Sequence, residues 1–502
     1  MKHLLAALLA TGLLAGCAGS PLRKSEPLAT RIDTFIAQPR LAHADFGISV
    51  VSLDTGRTLY AHNADKLFVP ASNAKLYTAA LALSTLGDAQ IGTTLYATTT
   101  AKPDGTLDGD LILFGGGDPS LGNADTSPDW ADRLAQMLAD HGVSRVRGDL
   151  IADATYFEGP PLGGGWEAND LQAWYAAPAS ALSVQENVAR VQVTRENGHC
   201  CAVSVMPDSA NLRAINSMRD DDNGRDTLVL YRPPGSDILY ARGSLPTGVQ
   251  TRSFTVSVPD PALFAGTLLH DALLKHGIAL DGQVRTLYWP QGDMAMVHAA
   301  WPVETIPSPP LPSLIRHMLK DSDNLYAQVL LQQVGARTAY TRTCADRAEP
   351  PLTSDDWGLC ALRAMLARAG IPDDIATFDE GAGLSRKDLV TPAATTTLLA
   401  WVTKQPFANA FENAMPIAGV DGTLQHRFVG TAAANNLRAK TGTLTHAYAL
   451  SGYVTDARGE HLAFSLMLDH YQRPTDALGR NVPPSPTADL DAIATMLAGS
   501  AR

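Results

Sequence analysis

The order of patterns along the chain predicts an α/β domain split by a large, mainly β insertion. Three observations carry this reading. A strand pair and a helix-rich stretch come early, helices return after residue 303, and three strands close the chain. Between them, residues 91–302 change texture to short β-like runs broken by Gly, Pro and Asp. The length, 502 residues, is too great for one simple core.

Lys2 and His3 precede an apolar run, Leu4 to Leu14. The run is too short to span a bilayer but has the length of a signal-peptide core. It ends in Leu14-Ala15-Gly16-Cys17, so residues 1–16 read as a signal peptide, and Cys17 resembles the lipidated cysteine of a lipobox. An ordinary secretory signal with a chance cysteine is the alternative. On the lipobox reading, residues 17–45 form a tether and the protein is periplasmic, anchored in a membrane through Cys17. Ala18 after the cysteine resembles outer-membrane sorting.

Phe46 to Leu53 alternates in part like a strand, Asp54-Thr55-Gly56 is a turn signal, and Arg57 to His62 returns as a second strand. Asn73 to Leu86 is rich in helix formers, with Gly87 as a stop, so Ser72 sits at or near a helix N-terminus. Within 91–302 the strand candidates are Leu95–Thr99, Gly109–Phe114, Asn187–Thr194, Asp226–Tyr231 and Thr251–Val258, interrupted by one helix-like stretch, Pro261 to His276. This reads as one or two mainly β modules. Helical patterns follow over Leu311–Val334, Trp357–Ala369 and Pro392–Thr403, then strands over Leu437–Thr443, Tyr448–Val454 and Leu462–Asp469. Residues 46–90 plus 303–502 thus form one domain around the block 91–302.

Composition is ordinary for a globular protein, 45% hydrophobic and 18% charged. The formal net charge of −12 argues against a phosphate-backbone partner, so nucleic acid is excluded as the expected ligand. Besides Cys17 the chain has Cys200, Cys201, Cys344 and Cys360. An even number in an exported protein reads first as disulfides. Cys344 and Cys360 flank a polar stretch that a bond would close. A bond between the adjacent Cys200 and Cys201 would close a small strained ring, so these two are expected to stay reduced. No His-rich spacing accompanies the cysteines, so no metal site is expected.

Three short motifs carry chemistry. In Ser72-Asn73-Ala74-Lys75 the spacing i, i+3 puts the amine on the same helix face as the hydroxyl. Serine needs a base, and lysine serves as one only if burial or a nearby cation lowers its pKa. Ser322-Asp323-Asn324 follows the helix-like Leu311–Lys320. Its serine suits a proton relay, and its asparagine suits a hydrogen bond to a substrate amide or to the lysine. Lys440-Thr441-Gly442-Thr443 lies on an expected strand. There Lys440 suits a substrate carboxylate and the lowering of the Lys75 pKa. Thr441 and Thr443 suit further hydrogen bonds, and Gly442 leaves room for substrate. A backbone N–H beyond the glycine would complete an oxyanion hole with that of Ser72. Each motif alone is weak; the three in this order, each on the right kind of element, form a strong signal for serine acyl transfer.

On these residues the chain resembles the low-molecular-mass penicillin-binding proteins of the carboxypeptidase/endopeptidase type, peptidase family S13. The segments 68-FVPASNAKLYT-78, 115-GGGDPSL-121, 175-YAAPASAL-182, 383-GLSR-386 and 419-GVDGTL-424 are similar to segments of that family, so the resemblance covers most of residues 45–470. It implies a penicillin-binding/serine β-lactamase-like transpeptidase domain split by an insertion of two small domains. It also implies Ser72 as acylated nucleophile, Lys75 as its base, Ser322 and Asn324 as the second catalytic element, and Lys440 as the carboxylate-binding lysine. The substrates implied are D-Ala-D-Ala ends of peptidoglycan peptides, with β-lactams as acylating mimics and no cofactor. One departure stands out: Glu380-Gly381-Ala382-Gly383-Leu384-Ser385 occurs where the family usually has Asp-Gly-Ser-Gly-Leu-Ser, which leaves the missing serine's role unassigned. A β-lactamase on the same fold is the first rival, disfavoured by the large insertion and the lack of an E-x-x-L-N segment. A catalytically silent envelope scaffold is the second, disfavoured by the intact trio.

Overall fold

The computed structural model describes residues 26–501 apart from 88, 197, 222, 293, 340–350 and 477–479. The expected signal peptide, Cys17 and Cys344 lie outside the described residues. Residues 28–45, expected as tether, are instead part of the folded domain. Helix α1 (Leu28–Ile36) buries Leu28 and Ile32, four residues apart on one face. The Tyr60 hydroxyl donates to Asp33 at 2.6 Å, and Arg40 grips the buried Asp489 through two bonds of 2.8 Å.

The sheet of this domain has five antiparallel strands in the spatial order 438–444, 447–455, 461–469, 45–52 and 58–62. The first and last strands of the chain's own order thus meet in the centre, with Ser49 opposite Ser465. That pairing is antiparallel and of very long range, so only tertiary packing specifies it. Helices cover both faces. On one face α1 and the C-terminal helix share a core with Phe46, Ile48, Val50, Leu450 and Phe464. On the other, α2 (Ala74–Leu86) is buried along nearly its whole length. That burial all round explains why its sequence is apolar rather than amphipathic.

The chain then leaves the domain. Strands Gly92–Ala97, Leu111–Gly115, Leu150–Asp153, Val284–Leu287 and Trp301–Pro307 make a second five-stranded sheet. Helices α3 (Trp130–Asp140) and α4 (Pro261–Lys275) close it with Trp130, Leu134, Phe264 and Leu269. Three three-stranded sheets extend this block; one joins 188–196, 199–206 and 251–257, another 213–218, 229–231 and 238–243, and a small third 106–107, 145–146 and 279–280. Within it Cys200 and Cys201 are bonded to each other, contrary to the expectation of free thiols. The peptide between them is cis, and their Cα atoms are 3.1 Å apart. Cys360 is also disulfide-bonded.

After the short α5 (Met294–Ala299) and the strand Trp301–Pro307 the chain re-enters the first domain. The helical stretch expected over Leu311–Val334 is two helices, α6 (Leu311–Lys320) and α7 (Asn324–Ala339). Ser322 takes a left-handed φ of 63° between them, and Asp323 caps α7 by accepting the Tyr326 N–H at 2.9 Å. Helices α8 (Ser354–Arg368), α9 (Pro392–Val402) and α10 (Ala408–Ala414) complete the layer behind the sheet. Helix α11 (Pro486–Ala498) covers the opposite face beside α1.

Candidate active site

Ser72 lies in a short 3₁₀ turn, Ala71–Asn73, that runs into α2. Ala71 has φ 47°, a left-handed conformation unusual for a residue with a side chain. Two glycines make room for this turn. A Cβ on Gly383 (φ +80°) would collide with the Ala71 carbonyl oxygen, and one on Gly442 would lie 2.6 Å from the Pro70 oxygen. Asn73 ties the turn to the sheet: its Nδ2 donates to Ser451 Oγ at 2.7 Å, and Ser451 donates to Ser465 at 2.9 Å. Ser72 is thus placed by backbone and sheet rather than by its own side chain.

Lys75 is wholly buried, with Nζ 3.0 Å from Ser72 Oγ, 2.5 Å from Asn324 Oδ1 and 2.6 Å from the Ala382 carbonyl oxygen. Burial pulls its pKa down from 10.5 to about 8, against the opposing charges of Glu380, Asp323 and Asp388. The third contact accounts for the departure noted in the sequence. What position 382 supplies is a backbone carbonyl, which any residue offers, and Ala382 is fully buried. Glu380 shapes that turn by accepting the N–H groups of Ala382, Gly383 and Leu384 at 2.6, 2.5 and 2.8 Å. Asp388, buried beside Glu380, is pushed well up by burial and by Glu380's charge.

The second and third motifs converge on the first. Asn324 Nδ2 donates to the Tyr175 carbonyl oxygen at 2.6 Å, so its amide is fixed with the oxygen toward Lys75. Lys440 Nζ donates to Ser322 Oγ at 2.8 Å and to its neighbour Thr441's carbonyl at 2.9 Å. The Lys440 ammonium is wholly buried and is not among the groups that line the cleft. The hydroxyl-bearing Ser322, Thr441 and Thr443 line that surface, with Lys440 behind them. Burial is the first cause of the lowering of Lys75, while Lys440 is itself pushed well below 10.5 by burial and then by repulsion from Lys75, a repulsion that acts on both amines.

These groups open on a cleft of about 740 Å³. Several lining residues had no role in the sequence reading, though they lie in segments it singled out. Thr423 accepts from Thr441 Oγ1 at 3.0 Å, and Arg386 donates to the Thr445 carbonyl at 3.1 Å and to Glu167 at 3.0 Å. Asp421 holds Lys320 through bonds of 2.7 and 2.6 Å, which seats the turn carrying Thr423 against α6. Gly117 has φ +85° in a tight turn, and Asp118 there accepts the Ser120 N–H, so 115–121 is a structural turn.

With Ser72 beside a depressed lysine on a hydroxyl-lined cleft, comparison with known proteins decides the family. The model of the D-Ala-D-Ala carboxypeptidase 3 (S13) family matches residues 28–485. The chain belongs to this carboxypeptidase family. The S13 chain is 33% identical over 513 residues to the D-alanyl-D-alanine carboxypeptidase of Actinomadura sp. (strain R39), covering 97% of this chain and 87% of that one. It is 27% identical over 442 residues to the D-alanyl-D-alanine carboxypeptidase DacB of Haemophilus influenzae, covering 85% and 86%. The crystal structure of penicillin binding protein 4 (dacB) from Haemophilus influenzae superposes with a TM-score of 0.78 at 25% identity, over 92% of this chain and 97% of that one. A structure of that protein complexed with a β-lactam superposes at 0.74 and 23% identity, over 93% and 97%. The expected fold, a penicillin-binding domain split by an insertion, is the one observed.

Proposed function

We propose that this S13 carboxypeptidase works through an acyl-enzyme on Ser72 and acts on D-Ala-D-Ala ends of peptidoglycan stem peptides, with DD-endopeptidase cleavage of cross-links by the same chemistry. The observation that carries this is the Ser72–Lys75 pair at 3.0 Å with Lys75 lowered to about 8. A neutral amine has two N–H groups and one lone pair. Asn324 Oδ1 and the Ala382 carbonyl accept the two N–H groups, which turns the lone pair toward the Ser72 hydroxyl.

Ser72 Oγ attacks the carbonyl carbon of the penultimate D-alanine while its proton passes to Lys75. The oxyanion is held by the Ser72 N–H and a backbone N–H beyond Gly442 on the edge strand 438–444. The leaving amine takes a proton from the Lys75–Ser322 side as the C–N bond breaks, and water then hydrolyses the ester. The substrate's terminal carboxylate faces the Thr441 and Thr443 hydroxyls, with Lys440 behind them. When the leaving group is a cross-linked peptide rather than D-alanine, the cleft's volume accommodates it. Penicillin acylates the same serine, since its carboxylate and strained amide present the same two features; the related Haemophilus influenzae protein has been seen with a β-lactam bound. The protein is exported and lipid-anchored through Cys17 on the reading of its first residues.

The test is labelling of the purified protein with a fluorescent penicillin, with the labelled residue found by mass spectrometry. A stable adduct on Ser72, absent in Ser72→Ala, supports the acyl-enzyme. Folded protein that leaves penicillin intact and unbound overturns it, and rapid turnover of the adduct would favour a β-lactamase.

A further inference from the structure

Behind the catalytic asparagine lies a group of side chains that the acyl-transfer chemistry does not use. Glu186 of the inserted block, His317 of α6 and Asp323 at the start of α7 offer ligand atoms that all lie within 4.8 Å of one another. His317 Nε2 faces two carboxylates, Glu186 Oε1 at 3.4 Å and Asp323 Oδ2 at 3.9 Å. Its other nitrogen, Nδ1, faces a third carboxylate, Asp321 Oδ2, at 3.3 Å. Three carboxylates therefore surround one imidazole. Among the described residues no lysine or arginine forms an ion pair with any of the three. Even a protonated His317 leaves a net negative charge in a half-buried place.

The burial of Asp323 sharpens the problem. Its side chain is 9% exposed; Oδ1 accepts the Tyr326 N–H at 2.9 Å and Oδ2 faces His317 Nε2 at 3.9 Å. A buried carboxylate is stabilised by whatever cation it can reach. Glu186 is delivered to the same place by an unusual backbone, three consecutive left-handed residues, Gln185, Glu186 and Asn187, with φ 48°, 55° and 55°. Asn123 Nδ2 fixes its carboxylate by donating to Oε1 at 3.0 Å.

We infer that Glu186, His317 and Asp323 bind a divalent transition-metal ion of the zinc class, which clamps the inserted block to the Ser322–Asn324 turn. The donor set, one imidazole nitrogen and two carboxylate oxygens, is one that zinc accepts, with bonds of about 2.0–2.2 Å. A tetrahedral ion with such bonds spaces its ligands about 3.3–3.6 Å apart, close to the observed 3.4 and 3.9 Å. Asp321 on Nδ1 supplies the outer carboxylate that ligating histidines usually have, fixing the tautomer with Nε2 free for the metal. Glu186 and His317 line a cavity of about 810 Å³ together with Asn123 and Arg316, from which water would complete the shell. The ion touches no reacting atom. It pins the turn that presents Ser322 and Asn324, so it is a positioning device.

Tag-free protein, stripped of metal with a chelator, is titrated with Zn²⁺ against a chromogenic competitor at pH 7.5. The expected result is one zinc per chain with a dissociation constant on the order of 1 μM or tighter. Glu186→Gln and His317→Asn each weaken it at least about 10-fold, and Asp321→Asn by roughly 10–100-fold. X-ray absorption of the loaded protein should show one imidazole and oxygen ligands without sulfur. No stoichiometric zinc would overturn the inference. So would zinc whose affinity neither Glu186→Gln nor His317→Asn changes, since the ion then sits elsewhere among the chain's 13 histidines. Melting curves of the metal-free variants check that they fold. Penicillin labelling of Ser72 is read separately, so the two readings fail independently.

Discussion

Replacing Asn324 by aspartate tests whether the environment of Lys75 makes it the base. Burial lowers the Lys75 pKa from 10.5 to about 8. At pH 7 roughly a tenth of the molecules then carry the free amine, against about 0.03% for an unperturbed lysine. That gain of roughly 300-fold in usable base corresponds to about 3 kcal/mol. Asn324 Oδ1 lies 2.5 Å from Nζ. Asn324→Asp therefore puts a carboxylate against the ammonium, which raises the pKa of such a neighbour by about 1–3 units. Acylation at pH 7 should fall about 10–1,000-fold, and the rising limb of kcat/KM should move from about pH 8 to pH 9 or above. Stopped-flow acylation by a chromogenic penicillin over pH 6–10 measures both. A slow variant that keeps its limb at about 8 would show that Asn324 positions substrate and does not tune Lys75. A wild-type profile without a limb between pH 7 and 9 would refute Lys75 as the base.

Three further outcomes follow from the packing. Gly383→Ala should destabilise by about 1–2 kcal/mol from its φ of +80° alone and, by displacing the Ala71 carbonyl, slow penicillin labelling of Ser72; unchanged labelling would remove Gly383 from the support of the nucleophile. Ile32→Ala should cost about 2–5 kcal/mol in chemical denaturation, because Ile32 is fully buried; no loss would return residues 28–36 to the tether. Asp355 is pushed up to about 7 by burial, above its unfolded value. Its contribution to stability is therefore full below about pH 4 and is lost as pH rises through 7. Asp355→Asn, which stays neutral, should gain roughly 3–4 kcal/mol relative to wild type between pH 4 and pH 8.5, read from denaturant midpoints at the two pH values.

Much of this protein is legible in its sequence because its chemistry is written in local spacings. Ser72 and Lys75 are three residues apart on a helical turn, so their contact needs no tertiary information. The strands near both ends and the foreign block between them predict a split α/β domain. Other elements were missed for local reasons. Helices α1 and α3 have short apolar stripes among polar residues, and the break at Ser322 lies in an otherwise continuous helical pattern.

What the sequence determined by itself, then, is the pairing of Ser72 with Lys75, the order of the three motifs and the class of fold. The tertiary structure alone decided how those groups behave. Lys75 is lowered by burial, and its orientation is set by a carbonyl 307 residues away and an amide 249 residues away. Lys440 is buried behind Ser322 because its strand packs against the turn that carries Ser72. Desolvation and electrostatic coupling depend on everything that surrounds a group, and a linear motif holds only its neighbours in the chain.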